Sequence, residues 1–239
     1  MAQIYMMTAP RDKVSKRELR IMIEKNDCHK WIIGKETGKN GYKHWQIRLE
    51  TSNDDFFDWC KAHIPTASIR KAEVPKWDYE AKEGQYWTSS DRTDNLIQRF
   101  GEFRPNQKRA IQALRATNDR EVLVWYDEGG NVGKSWFTGA LWERGQAYVT
   151  PPTVSTVQAM VQFYIEHGFR PYVFIDIPRS WKWSKELYCA IESIKDGLVY
   201  DSRYQGRMVN IRGVKVIVMT NNKPDIDKLS YDRWRVVVL

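Results

Sequence analysis

Cysteine and histidine are scarce: the chain has three Cys, at 28, 60 and 189, and four His. No CxxC pair occurs and no Cys/His cluster has zinc-ligand spacing, which argues against a disulfide framework or a structural zinc module. The thiols are expected to be reduced, in an intracellular protein. Long apolar runs are also missing. Nothing approaches the ~18–20 residues that span a membrane. The start, Met1 to Thr8, is apolar but shorter than a secretory signal, and charged residues follow it. There is no internal repeat and no low-complexity tract. What is plentiful is charge and aromatic surface. Lys and Arg number 38 against 30 Asp and Glu, a formal net charge of +8. That balance favours a polyanionic partner, nucleic acid first, although charge alone is also compatible with a merely solvated surface. Among 11 Trp, 12 Tyr and 8 Phe, many belong in a core and others suit stacking on unpaired bases. With 239 residues, 42% of them hydrophobic, the chain can bury one large core or two smaller ones.

Two halves read differently. In the first, Gln3 to Thr8 is expected as a strand, and Ser15-Lys16-Arg17-Glu18 has capping-box spacing before a helix. His29 to Gly34 and His44 to Leu49 read as a hairpin around a Gly- and Asn-containing loop, Glu36 to Lys43. A helix from Phe56 to His63, a strand from Ala67 to Val74 and a helix from Trp77 to Trp87 follow. This order predicts an α+β domain, an antiparallel sheet backed by helices. A boundary falls near Gly101 to Pro105, before a basic helix from Asn106 to Thr117. In the second half, Val122 to Tyr126, Tyr172 to Ile175 and Val214 to Met219 are apolar runs of buried-strand length. Helical patterns at Ser135 to Glu143, Val154 to His167 and Trp181 to Ile194 separate them, which predicts an α/β domain. The expected division is 1–104 and 105–239, with 105–117 as a linker or oligomerisation helix.

Glu128-Gly129-Gly130-Asn131-Val132-Gly133-Lys134-Ser135 follows a strand and opens a helix, the setting a phosphate-binding loop requires. Gly129, Gly130, Asn131 and Gly133 would let backbone N–H groups face phosphate oxygens. Lys134 would reach the β- and γ-phosphates and Ser135 would hold Mg²⁺. Glu128 stands where the first glycine usually lies. Asp176 ends a buried strand and can hold Mg²⁺ or its water, though it reads equally as a helix N-cap. Ile177 and Pro178 leave no second acid, so the water-activating base has no candidate. Asn221 ends the third apolar strand, as a γ-phosphate sensor or as part of a turn. Arg233 offers an arginine finger acting on a neighbouring subunit, or a surface charge.

In the first half, His44 and Gln46 share one strand face, because strand side chains alternate. Glu36 lies close enough in sequence to approach it. Carboxylate, imidazole and amide oxygen suit a hard divalent ion such as Mg²⁺ or Mn²⁺. Taken alone, His44 reads more readily as a surface strand residue than as a ligand. Tyr79 and Lys82 share a helix face at i, i+3, and a phenol beside an ammonium can accept a phosphoryl group covalently.

These motifs, in this order, resemble the replication-associated (Rep) proteins of circular single-stranded DNA viruses, which join an HUH endonuclease to a superfamily 3 helicase. Tyr5-Met6-Met7-Thr8 sits where the family's first motif lies. His44-Trp45-Gln46 resembles the circovirus-like metal motif, and Tyr79 to Gly84 resembles the catalytic tyrosine motif. Ser202 to Arg207, with Arg203, Tyr204 and Arg207, resembles the helicase hairpin that grips single-stranded DNA, and reads equally as a basic turn. Ile175-Asp176-Ile177-Pro178-Arg179 suggests the smacovirus branch.

The resemblance implies an HUH endonuclease domain followed by a P-loop ATPase domain. It implies a metal held by Glu36, His44 and Gln46, and attack by Tyr79, assisted by Lys82, to give a 5′-phosphotyrosyl link. It further implies ATP with Mg²⁺ in the second domain, a single-stranded origin stem-loop as partner, a hexameric ring and no membrane. The location would be inside the host cell, in the nucleus of a eukaryote or the cytoplasm of a prokaryote. Since Val236 to Leu239 follow an apparent strand, the C-terminal helical part of relatives is expected to be short or absent. Two rivals stand beside this reading: a non-enzymatic basic DNA-binding module with a degenerate loop, and a P-loop DNA motor with an inert first domain.

Overall fold

The structure, a computed structural model, describes residues 2–73, 76–152, 156–203 and 206–239. It divides into two compact units, residues 1–100 and 101–239.

The first unit runs β1 (Gln3–Pro10), α1 (Lys16–Lys25), β2 (Cys28–Thr37), β3 (Lys43–Thr51), α2 (Phe56–His63) and β4 (Ser68–Lys71), then a 3-10 turn (Tyr79–Ala81), β5 (Tyr86–Thr88) and α3 (Thr93–Phe100). The five strands form an antiparallel sheet in the order β4-β1-β3-β2-β5. Alternation separates its faces. Tyr5, Met7, Ala9, Ile33, Trp45, Ile47, Leu49 and Ile69 share a core with Leu19 and Met22 of α1 and Phe56 and Cys60 of α2. The even-numbered residues of β1 and β3, with their partners on β2 and β4, are left to the opposite face. Helix α1 begins as its sequence predicts: Ser15 accepts from the Glu18 amide, and the Glu18 carboxylate accepts from the Ser15 amide.

Three expectations change here. The hairpin is longer than the sequence indicates, because β2 runs to Thr37 and takes Glu36 into the ladder opposite His44. The strand expected to Val74 stops at Lys71, and Val74 itself lies outside the described residues. The helix expected from Trp77 to Trp87 is not formed. Only Tyr79–Ala81 makes a 3-10 turn; Gly84 then takes φ +69°, and Tyr86–Thr88 pairs with β2. A left-handed glycine ends helical winding, and Tyr-Trp-Thr is better suited to a pleated sheet.

The second unit runs α4 (Pro105–Arg115), β6 (Val122–Tyr126), α5 (Lys134–Glu143), β7 (Ala147–Thr150), α6 (Thr156–His167), β8 (Tyr172–Asp176), α7 (Lys185–Asp196), β9 (Leu198–Asp201), β10 (Arg207–Asn210), β11 (Lys215–Thr220) and β12 (Trp234–Val237). Five strands form a wholly parallel sheet, β12-β6-β11-β8-β7, while β9 and β10 make a separate antiparallel ribbon. Both faces of the parallel sheet are covered, which is why its strands are continuously apolar. Val122, Val124, Val173, Ile175, Val216 and Val218 pack with α6 and α7. Leu123, Trp125, Phe174, Ile217 and Met219 pack with Ala110, Ile111 and Leu114 of α4 and with Phe137 and Leu141 of α5. Helix α4, expected as a linker or oligomerisation element, is therefore part of this core.

Candidate functional site

On the even face of the antiparallel sheet, Glu36 lies directly opposite His44, and Gln46 is the cross-strand partner of both Gly34 and Thr8. Glu36 is 3% exposed; its Oε2 is 2.6 Å from the Lys82 Nζ and 3.5 Å from the His44 Nε2. Its Oε1 is buried with no hydrogen-bond partner. The Thr8 hydroxyl donates to the Gln46 Oε1, and the His44 ring stacks on Tyr42. A buried carboxylate oxygen without a donor is costly unless a cation completes it. Glu36, His44 and Gln46 thus fit a hard divalent ion, and the structure brings all three together.

Tyr79 reaches this face by a close backbone approach. A Cβ placed on Gly34 would sit 2.1 Å from the Glu80 carbonyl oxygen, so only glycine at 34 lets the Tyr79–Ala81 turn lie on β2. The Lys82 Nζ lies 3.7 Å from the centre of the Tyr79 ring. Burial works against the Lys82 charge, but its hydrogen bonds to Glu36 and Tyr79 more than reverse this and raise its pKa. The ammonium is therefore a donor and a positive charge, not a base. Tyr79 is 51% exposed and opens on a cavity of about 510 Å³ lined also by Gln46, Arg48, Arg70, Lys71 and Lys76.

Two neighbours escaped the sequence reading. The Arg48 Nε is 3.1 Å from the Glu80 Oε1 in a buried pair, and burial, then nearby Glu36, raises the Glu80 pKa against the pull of Arg48. Arg48 was recoverable in principle, since it follows Gln46 by two residues on the same strand face. Nothing in the sequence signals that Glu80 turns inward.

The second unit gathers its predicted residues at the C-terminal edge of the parallel sheet. The loop leaves β6, Asn221 follows β11 and Asp176 ends β8, and these three strands are adjacent in the order β6-β11-β8. Ligands bind at this edge in open parallel sheets. Gly130, Asn131 and Gly133 all have positive φ, at +77°, +62° and +84°. The Lys134 Nζ donates to the Thr220 carbonyl at 3.1 Å and lies 3.7 Å from the Asp127 carboxylate. Burial lowers its pKa, partly offset by Asp127 and Asp176. Burial raises that of Asp176, partly offset by Lys134 and by a hydrogen bond with Ser135. The Ser135 hydroxyl and Asp176 carboxylate are thus paired as a Mg²⁺ site would need them.

Several supports of this loop went unread in the sequence. The Gly130 amide donates to the Asp127 carboxylate at 2.6 Å, and the Asn221 amide group donates to the Asp127 carbonyl. From α4, Asn106 donates to the Val132 carbonyl at 2.8 Å and Gln107 to the Gly133 carbonyl at 2.9 Å. The Arg179 Nη2 donates to the carbonyls of Glu128 and Gly129, at 3.2 and 2.9 Å.

Arg233 does not join this edge. It precedes β12, whose Trp234 pairs with Val122 at the start of β6, so it lies at the opposite end of the sheet. It is 5% exposed and paired with Asp196 at 2.7 Å and Glu192 at 3.4 Å. Arg233 is thus held within its own chain by two carboxylates, away from this chain's own phosphate loop. In the β9-β10 ribbon, Arg203 is paired with Asp201 at 2.7 Å, Arg207 is exposed, and Tyr204 lies outside the described residues.

No family model matches the chain. Among curated proteins, Para-Rep C10 of the Milk vetch dwarf C10 alphasatellite is 28% identical over 183 residues, covering 74% of this chain and 54% of that protein. Para-Rep C6 of the Subterranean clover stunt C6 alphasatellite is 32% identical over 142 residues, covering 57% and 47%. The Master replication protein of Subterranean clover stunt virus (strain F) is 28% identical over 128 residues, covering 53% and 43%. The chain spans about half the length of the curated relatives it matches. The chain is thus similar to the Para-Rep proteins of these alphasatellites and to the master replication protein of a virus.

Proposed function

We propose that the chain is a rolling-circle replication initiator whose first unit nicks and rejoins single-stranded origin DNA and whose second unit hydrolyses ATP to move on or unwind DNA. The observation that carries this reading is the Tyr79–Lys82–Glu36 chain: one ammonium touches the phenol and the carboxylate that sits opposite His44.

In this reading the DNA strand lies in the cavity beside Tyr79, where Arg70, Lys71 and Lys76 face its phosphates. Glu36, His44 and Gln46 would hold Mg²⁺ or Mn²⁺, which supplies electrostatic polarisation of the scissile phosphate when bound. The Tyr79 oxygen attacks phosphorus, the phenol proton passes to solvent at this exposed position, and the bond to the 3′-oxygen breaks, that oxygen taking a proton from solvent. The products are a 5′-phosphotyrosine and a free 3′-hydroxyl that can prime synthesis. Lys82 stabilises the negative charge that develops on the phenol oxygen. Attack by a 3′-hydroxyl on the same phosphotyrosine reverses the step and closes a circle.

In the second unit, the backbone of residues 129–133 would surround the phosphates, Lys134 would contact the β- and γ-phosphates, and Ser135 with Asp176 would hold Mg²⁺. A hexameric ring, an origin stem-loop as substrate and a location inside the host cell, nuclear in a eukaryote, belong to the same proposal. Cleavage of a stem-loop oligonucleotide with Mn²⁺ tests the first half: Tyr79→Phe abolishes it, whereas cleavage surviving that substitution would reject Tyr79 as nucleophile. ATP hydrolysis tests the second half: Lys134→Ala abolishes it, and an unchanged rate would reject the site.

A further inference from the structure

Arg179 ends the Ile175–Arg179 run and has been given no chemical role, yet its side chain lies on the phosphate loop. It follows β8 by three residues, beyond Ile177 and Pro178, where the sequence lacks a second acid. Its Nη2 donates to the Glu128 and Gly129 carbonyls, and a Cβ on Gly130 would come within 2.8 Å of that same nitrogen. Gly130 therefore leaves room for the guanidinium as well as bending the chain at φ +77°. The Arg179 main chain is anchored, because the Asn222 amide group donates to its carbonyl at 3.0 Å and to the Trp181 carbonyl at 3.1 Å. Asn222 follows directly on Asn221, whose amide group holds Asp127 at the base of the loop. The backbone of Arg179 is thus fixed while its head is exposed.

The hydrogen bonds that Arg179 makes on the loop go to neutral carbonyl oxygens. A phosphoanion offers acceptors that form shorter bonds, about twice as strong, and a guanidinium fits phosphate oxygens two at a time. The Lys134 ammonium also donates to the Asp127 carbonyl at 3.4 Å, so both cations sit around the same loop. Arg233, the arginine chosen from sequence, is buried in ion pairs at the far end of the sheet.

We propose that Arg179 is a same-chain ligand of the nucleotide's terminal phosphate, moving from the loop carbonyls onto the γ-phosphate and so distinguishing ATP from ADP. This rests on the nucleotide-site reading of the second unit. On the γ-phosphate the guanidinium also offsets charge that builds on that group during transfer to water.

The test is calorimetric binding of a non-hydrolysable ATP analogue and of ADP to the full chain with Mg²⁺, for the parent chain, Arg179→Ala and Arg179→Lys. Arg179→Ala is expected to weaken the analogue roughly 10- to 100-fold, the loss of one charge-assisted contact, and ADP by less than about threefold. Arg179→Lys should restore part of the analogue affinity, and retained ADP binding shows that the unit is folded. Equal loss for the two nucleotides would make Arg179 a brace of the loop and overturn the proposal, as would no change for either. If the parent chain binds neither nucleotide, the nucleotide-site reading itself fails and the proposal falls with it.

Discussion

At the scale of single residues, Gly34 does as much for the candidate nicking site as any of its polar groups. The backbone of Glu80 sits where a side chain at 34 would be, so Gly34→Ala must push the Tyr79–Ala81 turn off β2. We expect a loss of about 1–3 kcal/mol in denaturant unfolding of the first unit, the usual cost of overpacking. DNA cleavage should fall sharply while ATP hydrolysis is kept; cleavage and stability both unchanged would show that the turn does not depend on this contact. The cysteines offer a milder test of the same packing. Burial pushes the Cys28 and Cys60 thiols up to about 12, whereas Cys189 is exposed. A maleimide at about pH 8, where an ordinary thiol begins to ionise, should label Cys189 alone in the native chain and all three after unfolding. The polar residues of the site were legible because strand alternation puts His44 and Gln46 on one face. Contacts such as Lys82 with Glu36, or Arg179 with the loop, were not, because they join residues distant in sequence and only folding makes them neighbours.

At the scale of elements, the edge of the antiparallel sheet shows where local pattern misleads. Residues 77–87 carry aromatic and charged side chains at helical spacing, but Gly84 and the pairing of β5 with β2 decide the outcome. Helix α3, unread in the sequence, fastens that edge. Arg99 makes paired hydrogen bonds of 2.8 and 2.9 Å to Asp91 and lies 3.7 Å over the Tyr86 ring. Burial alone would raise the Asp91 pKa; the Arg99 hydrogen bonds and those from Thr88 outweigh it and lower it. A carboxylate held below its unfolded value near 3.9 stabilises the fold above that value, and the contribution is lost as pH falls through the folded one. Asp91→Asn should therefore destabilise the first unit by about 1–3 kcal/mol at pH 7, since it removes the charge paired with Arg99, which keeps the Tyr86 carbonyl as an acceptor. The difference from the parent chain should shrink below about pH 4; a difference that did not depend on pH would show that the pair is not what fastens the edge. The strands of the parallel sheet were easier to read, as burial on both faces leaves runs such as Val122–Tyr126 with no polar break. Strand β7 and the β9-β10 ribbon, at four residues each, fall below what such patterns resolve.

At the scale of the whole molecule, the two candidate chemistries lie in separate units, residues 1–100 and 101–239. The account predicts that they separate cleanly. Lys134→Ala should abolish ATP hydrolysis and leave strand cleavage within about twofold, because the two reactions use different residues. A net charge of +8 and a groove lined by Arg70, Lys71 and Lys76 predict single-stranded DNA affinity that drops steeply with salt. Among the described residues no helix is long and apolar enough to cross a membrane. The central claim is covalent capture of DNA by Tyr79, and its most direct measurement is mass spectrometry of the chain after incubation with an origin oligonucleotide and Mn²⁺. The account predicts a phosphonucleotide adduct on the peptide containing Tyr79, lost in Tyr79→Phe; an adduct on Tyr86 or another residue, or cleavage with no adduct at all, would contradict it.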